Sequence, residues 1–141
     1  MKIISSYAVE IKHINKLFRQ TIKIYNDAIT FCVKIFEENW SDLKILEASN
    51  KERKSYAEKL IHSTKSNVAK YPDFDINFHK MPSYLRRAVI GEALGYISSY
   101  HSNLSNWKAS NTNSKAPTLR THLYKLPTFY RSNMYLDESY L

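Results

Sequence analysis

A helical period runs unbroken from Met81 to Trp107, MPSYLRRAVIGEALGYISSYHSNLSNW, and both glycines of the chain, Gly91 and Gly95, fall inside it. Tyr84, Leu85, Ala88, Val89, Glu92, Ala93, Tyr96, Ile97, Tyr100, Leu104 and Trp107 recur at three- and four-residue steps, the signature of an amphipathic helix. Pro82 or Ser83 starts it, proline being preorganised for a first turn and serine able to cap one. A glycine inside a helix costs about 1 kcal/mol against alanine. Two glycines one turn apart on one face therefore predict a close approach by something, either a neighbouring helix or a sugar–phosphate backbone. Arg86, Arg87 and Glu92 beside them exclude a membrane dimer.

The rest of the chain is arranged around this helix. Residues 2–11 alternate Ile3, Ser5, Tyr7, Val9 and Ile11 against their neighbours, which predicts a half-buried strand. From about Asn15 to Trp40 the period becomes helical, through Leu17, Phe18, Thr21, Tyr25, Ala28, Ile29, Cys32 and Phe36. Lys12, Lys16, Arg19, Lys23 and Lys34 lie off that stripe, as a solvated face or a phosphate-tracking one. Glu37 and Glu38 stand where the helix dipole disfavours acids, so basic side chains from elsewhere are expected to meet them. Ser41 and Asp42 can cap a short helix through Leu43, Ile45, Leu46 and Ala48. Asn50 can cap another, running to about Thr64 with Tyr56, Ala57, Leu60 and Ile61 inward. Pro72, Pro82 and the clustered Asp and Asn residues predict an ordered aromatic loop pegged by Phe74 and Phe78. After the organising helix, KASNTNSKAP reads as a mobile linker. Thr128–Arg131 and Met134–Leu136, flanking Ser132 and Asn133, read as a hairpin. The fold class expected is mainly α with a small β unit: residues 12–107 form a helical lobe inserted between strand 1–11 and the hairpin region 117–141, with 108–116 as linker. The chain stops barely past its last expected strand, which reads as the beginning of a larger protein.

Catalytic chemistry finds little support. The single cysteine, Cys32, permits neither an internal disulfide nor a thiolate metal cluster, and its place on an apolar stripe makes it a small core residue. His13, His62, His79, His101 and His122 show no i, i+4 pairing and no partner carboxylate at ligand spacing, so no zinc site is expected. Asp73 and Asp75 read as loop and capping residues, and Glu37 and Glu38 point in different helical directions, so no carboxylate set for two metals converges. With both glycines in a helix there is no glycine-rich phosphate loop. No enzyme activity, metal or cofactor is expected. Without a signal peptide or an apolar run long enough to span a membrane, a soluble intracellular protein is expected.

Binding chemistry is better supported. The net charge is +8, and it is uneven: residues 1–81 carry fourteen basic and ten acidic groups, whereas 82–136 carry seven basic residues and only Glu92. Such a field attracts polyanions. Arg86 and Arg87 can make charge-assisted bonds to phosphate. Tyr96, Tyr100 and Trp107, interleaved with Ser98, Ser99, Ser102, Asn103, Ser105 and Asn106, suit contacts to sugars and phosphates. The alternative is that the tyrosines fill the core and the serines face water.

The organising helix, followed after the linker by KAP and then LPTFYRSNMYL, resembles the N-terminal part of TnpB-type proteins. These are the OrfB proteins of bacterial insertion sequences, related to type V CRISPR effectors. The resemblance covers nearly the whole chain, and its most specific segments are PSYLRRA and PTFYRSNM. It implies the non-catalytic portion of an RNA-guided DNA endonuclease, in a bacterial cytoplasm, binding guide RNA and the RNA–DNA heteroduplex. By this likeness Tyr84, Arg86, Arg87, Ser99, Tyr100 and Asn103 belong to a helical recognition lobe, and Tyr130, Arg131 and Asn133 to a wedge-like β unit. The family's nuclease domain and zinc ribbon lie beyond where this chain stops. A rival expectation is an interaction module or dimer using the Gly91/Gly95 face; a stand-alone helix-turn-helix regulator ranks last, since no short glycine-bearing turn precedes a recognition helix.

Overall fold

The computed structural model describes residues 16–46, 49–111, 113–120 and 124–127. The molecule is mainly helical: α1 (Lys16–Glu38), α2 (Trp40–Ile45), α3 (Asn50–Ile61), α4 (Asp73–Asn77) and α5 (Ser83–Ala109). Two long helices, α1 and α5, share the principal interface, and α3 packs on α5. The expected strand 2–11 and the hairpin at 128–136 lie outside the described residues. Within those residues the only β pairing is an isolated bridge between Thr64 and Asn67.

The core follows from the two helical stripes. On α1, Ile22, Tyr25, Ile29, Cys32 and Phe36 are buried at three- and four-residue steps, with Ala28, Val33 and Ile35 beside them. On α5, Leu85, Val89, Ala93 and Ile97 form an i, i+4 row, and Ile90 and Leu94 a second one. Each large apolar side chain so buried contributes roughly 1.5–3 kcal/mol. Small residues in the shared core, Ala28 and Cys32 on α1 with Ala88 and Ala93 on α5, admit the larger neighbours between them. The segment expected as an aromatic loop carries the short helix α4, and the two phenylalanines peg it as expected. Phe74 is buried and Phe78 half-buried, and their rings stand 4.9 Å apart and within 6 Å of Phe31 on α1.

Three boundaries differ from the expectation. The first long helix stops at Glu38 instead of reaching Trp40. Asn39, only 4% exposed, turns the chain by bonding its Nδ2 to the Ile35 carbonyl at 2.7 Å and to Tyr71 Oη at 2.9 Å. Its Oδ1 accepts from Lys70 Nζ at 2.8 Å. Consequently α2 begins before Ser41 and Asp42, which lie inside the helix and do not cap it; Ala48 is outside the described residues. The cap of α3 is Ser49 and not Asn50, for Ser49 Oγ accepts the Glu52 amide at 3.3 Å. The start of α5 at Ser83 is as expected, with Pro82 in the cap position and no side chain capping it.

The close approach expected at the two glycines is not made by any of the described residues. Among the described residues, a Cβ placed on Gly95 meets nothing within 4 Å, and one on Gly91 meets only the end of the Lys54 side chain, at 3.7–3.8 Å. Those are ordinary contacts. Among the described residues no helix crosses the Gly91/Gly95 face at close range, because α1 packs on the opposite side of α5.

Candidate nucleic-acid interface

The 100° turn per residue of α5 sorts its polar residues into distinct environments. Arg87, Gly95, Ser99, Ser102, Asn103 and Asn106 are exposed, and Gly95, Ser99, Ser102 and Asn106 form a strip with no bulky or charged side chain. Lys54 of α3 reaches in at Gly91, and Arg87 stands one turn earlier on the same side.

The opposite side of the strip is built by the segment after α5. Residues 113–127, where described, run back along the helix. The Trp107 indole Nε1 donates to the Ser114 carbonyl at 2.8 Å. The Arg120 amide donates to Tyr96 Oη at 2.8 Å. Asn26 of α1 then grips the Lys125 backbone from both directions, Nδ2 donating to its carbonyl at 2.8 Å and Oδ1 accepting its amide at 2.7 Å. Lys125 Nζ lies 3.6 Å from Glu92, and Leu119 packs against the core. The stretch expected as a mobile linker is therefore tied down on both flanks. This strap keeps Lys115, Arg120 and Lys125 exposed.

Of the residues expected to bind, Arg87, Ser99 and Asn103 are on the surface. Arg86 is not: its side chain is 11% exposed and its Nε and Nη2 donate to Glu58 Oε1 at 3.1 and 3.0 Å. That contact ties α5 to α3 and corrects the reading of Arg86 as a free phosphate anchor. Tyr84 and Tyr100 are half-buried, Tyr84 against the core and Tyr100 edge-on to His101 at 5.1 Å. Tyr96 and Trp107 commit their polar tips to the strap. Tyr130, Arg131 and Asn133 lie outside the described residues.

Lys54, Arg120, Lys125 and Asn26 escaped the sequence reading. Nothing local marks Lys54 or the strap, since each is defined by contact with a distant element. The carboxylates expected to find partners do so: Glu37 meets His101 Nε2 at 2.7 Å, and Glu38 accepts from Tyr71 Oη at 3.3 Å, a phenol and not a base. Two histidines thus have carboxylate partners, the second being His62 with Asp75 at 2.8 Å. Neither pair recruits a third ligand, and among the described residues no three His, Cys, Asp or Glu groups converge on a metal position. Burial pushes the Cys32 thiol well above its ordinary range, which leaves it unreactive. No helix among the described residues is long and apolar enough to cross a membrane.

The Aq_aa04 family model matches residues 5–140, nearly the whole chain. The chain belongs to the Aq_aa04 family. No curated protein and no solved structure matches it. In this Aq_aa04 chain the open strip of α5 lies between Lys54 and Arg87 on one side and the strap on the other.

Proposed function

We propose that the chain is a nucleic-acid-binding module that lays the open strip of α5 along a sugar–phosphate backbone and binds RNA or RNA–DNA duplex without cleaving it. The observation that carries this reading is Gly95, exposed and so open that among the described residues a Cβ added there would meet nothing within 4 Å, between cationic flanks. A strip of glycine, serine and asparagine admits a backbone closely and offers it hydroxyl and amide partners. Lys54, Arg87 and Arg120 supply the charge that phosphates require. The equivalence to the recognition and wedge part of a TnpB-type protein belongs to this proposal. So do the β unit formed from residues 1–11 and 117–141, the bacterial cytoplasm, and the roles of Tyr130, Arg131 and Asn133.

Filter binding to structured RNA and to heteroduplex, between about 50 and about 200 mM salt, tests it. Affinity is expected to fall log-linearly with salt. Lys54→Gln, Arg87→Gln and Arg120→Gln are each expected to reduce the slope by about one phosphate contact. Weak binding that ignores salt, or slopes indifferent to all three changes, refutes the reading.

The same exposed Gly95 favours a second reading, a helix-on-helix contact with another protein or another copy. Sedimentation separates the two. A nucleic-acid-free dimer abolished by Gly95→Leu supports the contact between copies, and a monomer counts against it.

A further inference from the structure

Beside the start of α5 lies a cleft of about 290 Å³, whose lining includes His62, Asp75, Phe78, His79, Lys80 and Arg86. Its acidic charge is spent internally. Asp75 holds His62 Nδ1 through Oδ1 at 2.8 Å and accepts the Ser63 amide through Oδ2 at 3.1 Å. Arg86 is balanced by Glu58 at 3.0 Å. What remains without an acidic partner among the described residues is Lys80, with His79 beside it, and both are exposed. The backbone holds Lys80 at φ 61°, in the left-handed region.

We propose that this cleft is a binding site for a phosphomonoester. The tetrahedral oxygens would accept from the Lys80 ammonium and the His79 imidazole N–H, and Phe78 with Met81 offers an apolar wall to the esterified group. The volume sits at the small end of ligand pockets, about 300 Å³, and suits a compact ester. The first turn of α5, which contains no acidic residue, lies between Met81 and Arg86 of the lining and adds amide dipoles of the same sign. This site is separate from the open strip and does not depend on the polynucleotide reading.

Amide spectra of the full chain, titrated with inorganic phosphate and with phenyl phosphate against chloride at equal ionic strength, provide the test. Saturable shifts at Lys80, Met81 and Ser83 are expected with the phosphates alone. Lys80→Asn, which removes the charge but tolerates the left-handed backbone, is expected to weaken binding about tenfold. His79→Asn is expected to weaken it as well. A 5′-phosphorylated dinucleotide, compared with its 5′-hydroxyl form, distinguishes the sources. Tighter binding than phenyl phosphate assigns a terminal phosphate of nucleic acid, and equal binding assigns a free ester. Shifts that match chloride and spread over every basic residue overturn the proposal, as does wild-type titration by both variants.

Discussion

Asn39 shows how much one side chain decides. It ends α1, starts α2 and joins Tyr71 and Lys70 to both, with every polar atom of its amide bonded. Removing the buried amide leaves the Tyr71 hydroxyl with Glu38 alone, deprives the exposed Lys70 ammonium of its acceptor, and opens a gap where Asn39 was 4% exposed. Asn39→Ala is therefore expected to destabilise the fold by about 1–3 kcal/mol, read as a lower denaturant midpoint at unchanged slope. Arg86 and Arg87 teach the same lesson from the side of function. In sequence they are equivalent neighbours, but a 100° step along the helix buries Arg86 against Glu58 at 3.0 Å and leaves Arg87 70% exposed, with only a looser 3.8 Å approach to the same carboxylate.

At the scale of the element, α5 carries an avoidable cost. Gly95 adopts ordinary helical backbone, since no glycine has a positive φ, and among the described residues a Cβ there meets open space. Gly95→Ala is therefore expected to raise stability by about 0.5–1 kcal/mol, measured by thermal melting. A destabilising result places an unseen neighbour against that face. The element also shows what was legible and what was overlooked. The extent of α5 could be read from its period to within two residues. The cap of α3 was equally readable, as the Ser49-x-x-Glu52 capping box, though Asn50 looked as good by residue type. The break at Asn39 was not readable: the apolar period continues across it to Trp40, and only the bonds from Tyr71 and Lys70 reveal the turn.

Across the whole molecule the strap is the feature that joins the ends of the described chain. Asn26 and Lys125 are 99 residues apart, and Asn26 reads backbone alone, so no residue preference at Lys125 announces the contact. The double change Asn26→Ala with Tyr96→Phe is expected to speed amide exchange at Arg120 and Lys125 while α1 and α5 keep their protection. Exchange slowed as in the wild type would show that Leu119 and Trp107 suffice to hold it. The sequence by itself determined the helical class, the apolar stripes of α1 and α5, the pegging by Phe74 and Phe78, and the basic balance, because period, burial and net charge are local or additive properties. Tertiary structure alone decided which cations are held in ion pairs, that among the described residues Gly95 is open while Gly91 lies under Lys54, and that the polar stretch after α5 is a strap. Those outcomes depend on pairings between residues tens of positions apart, and no local pattern specifies which partner arrives.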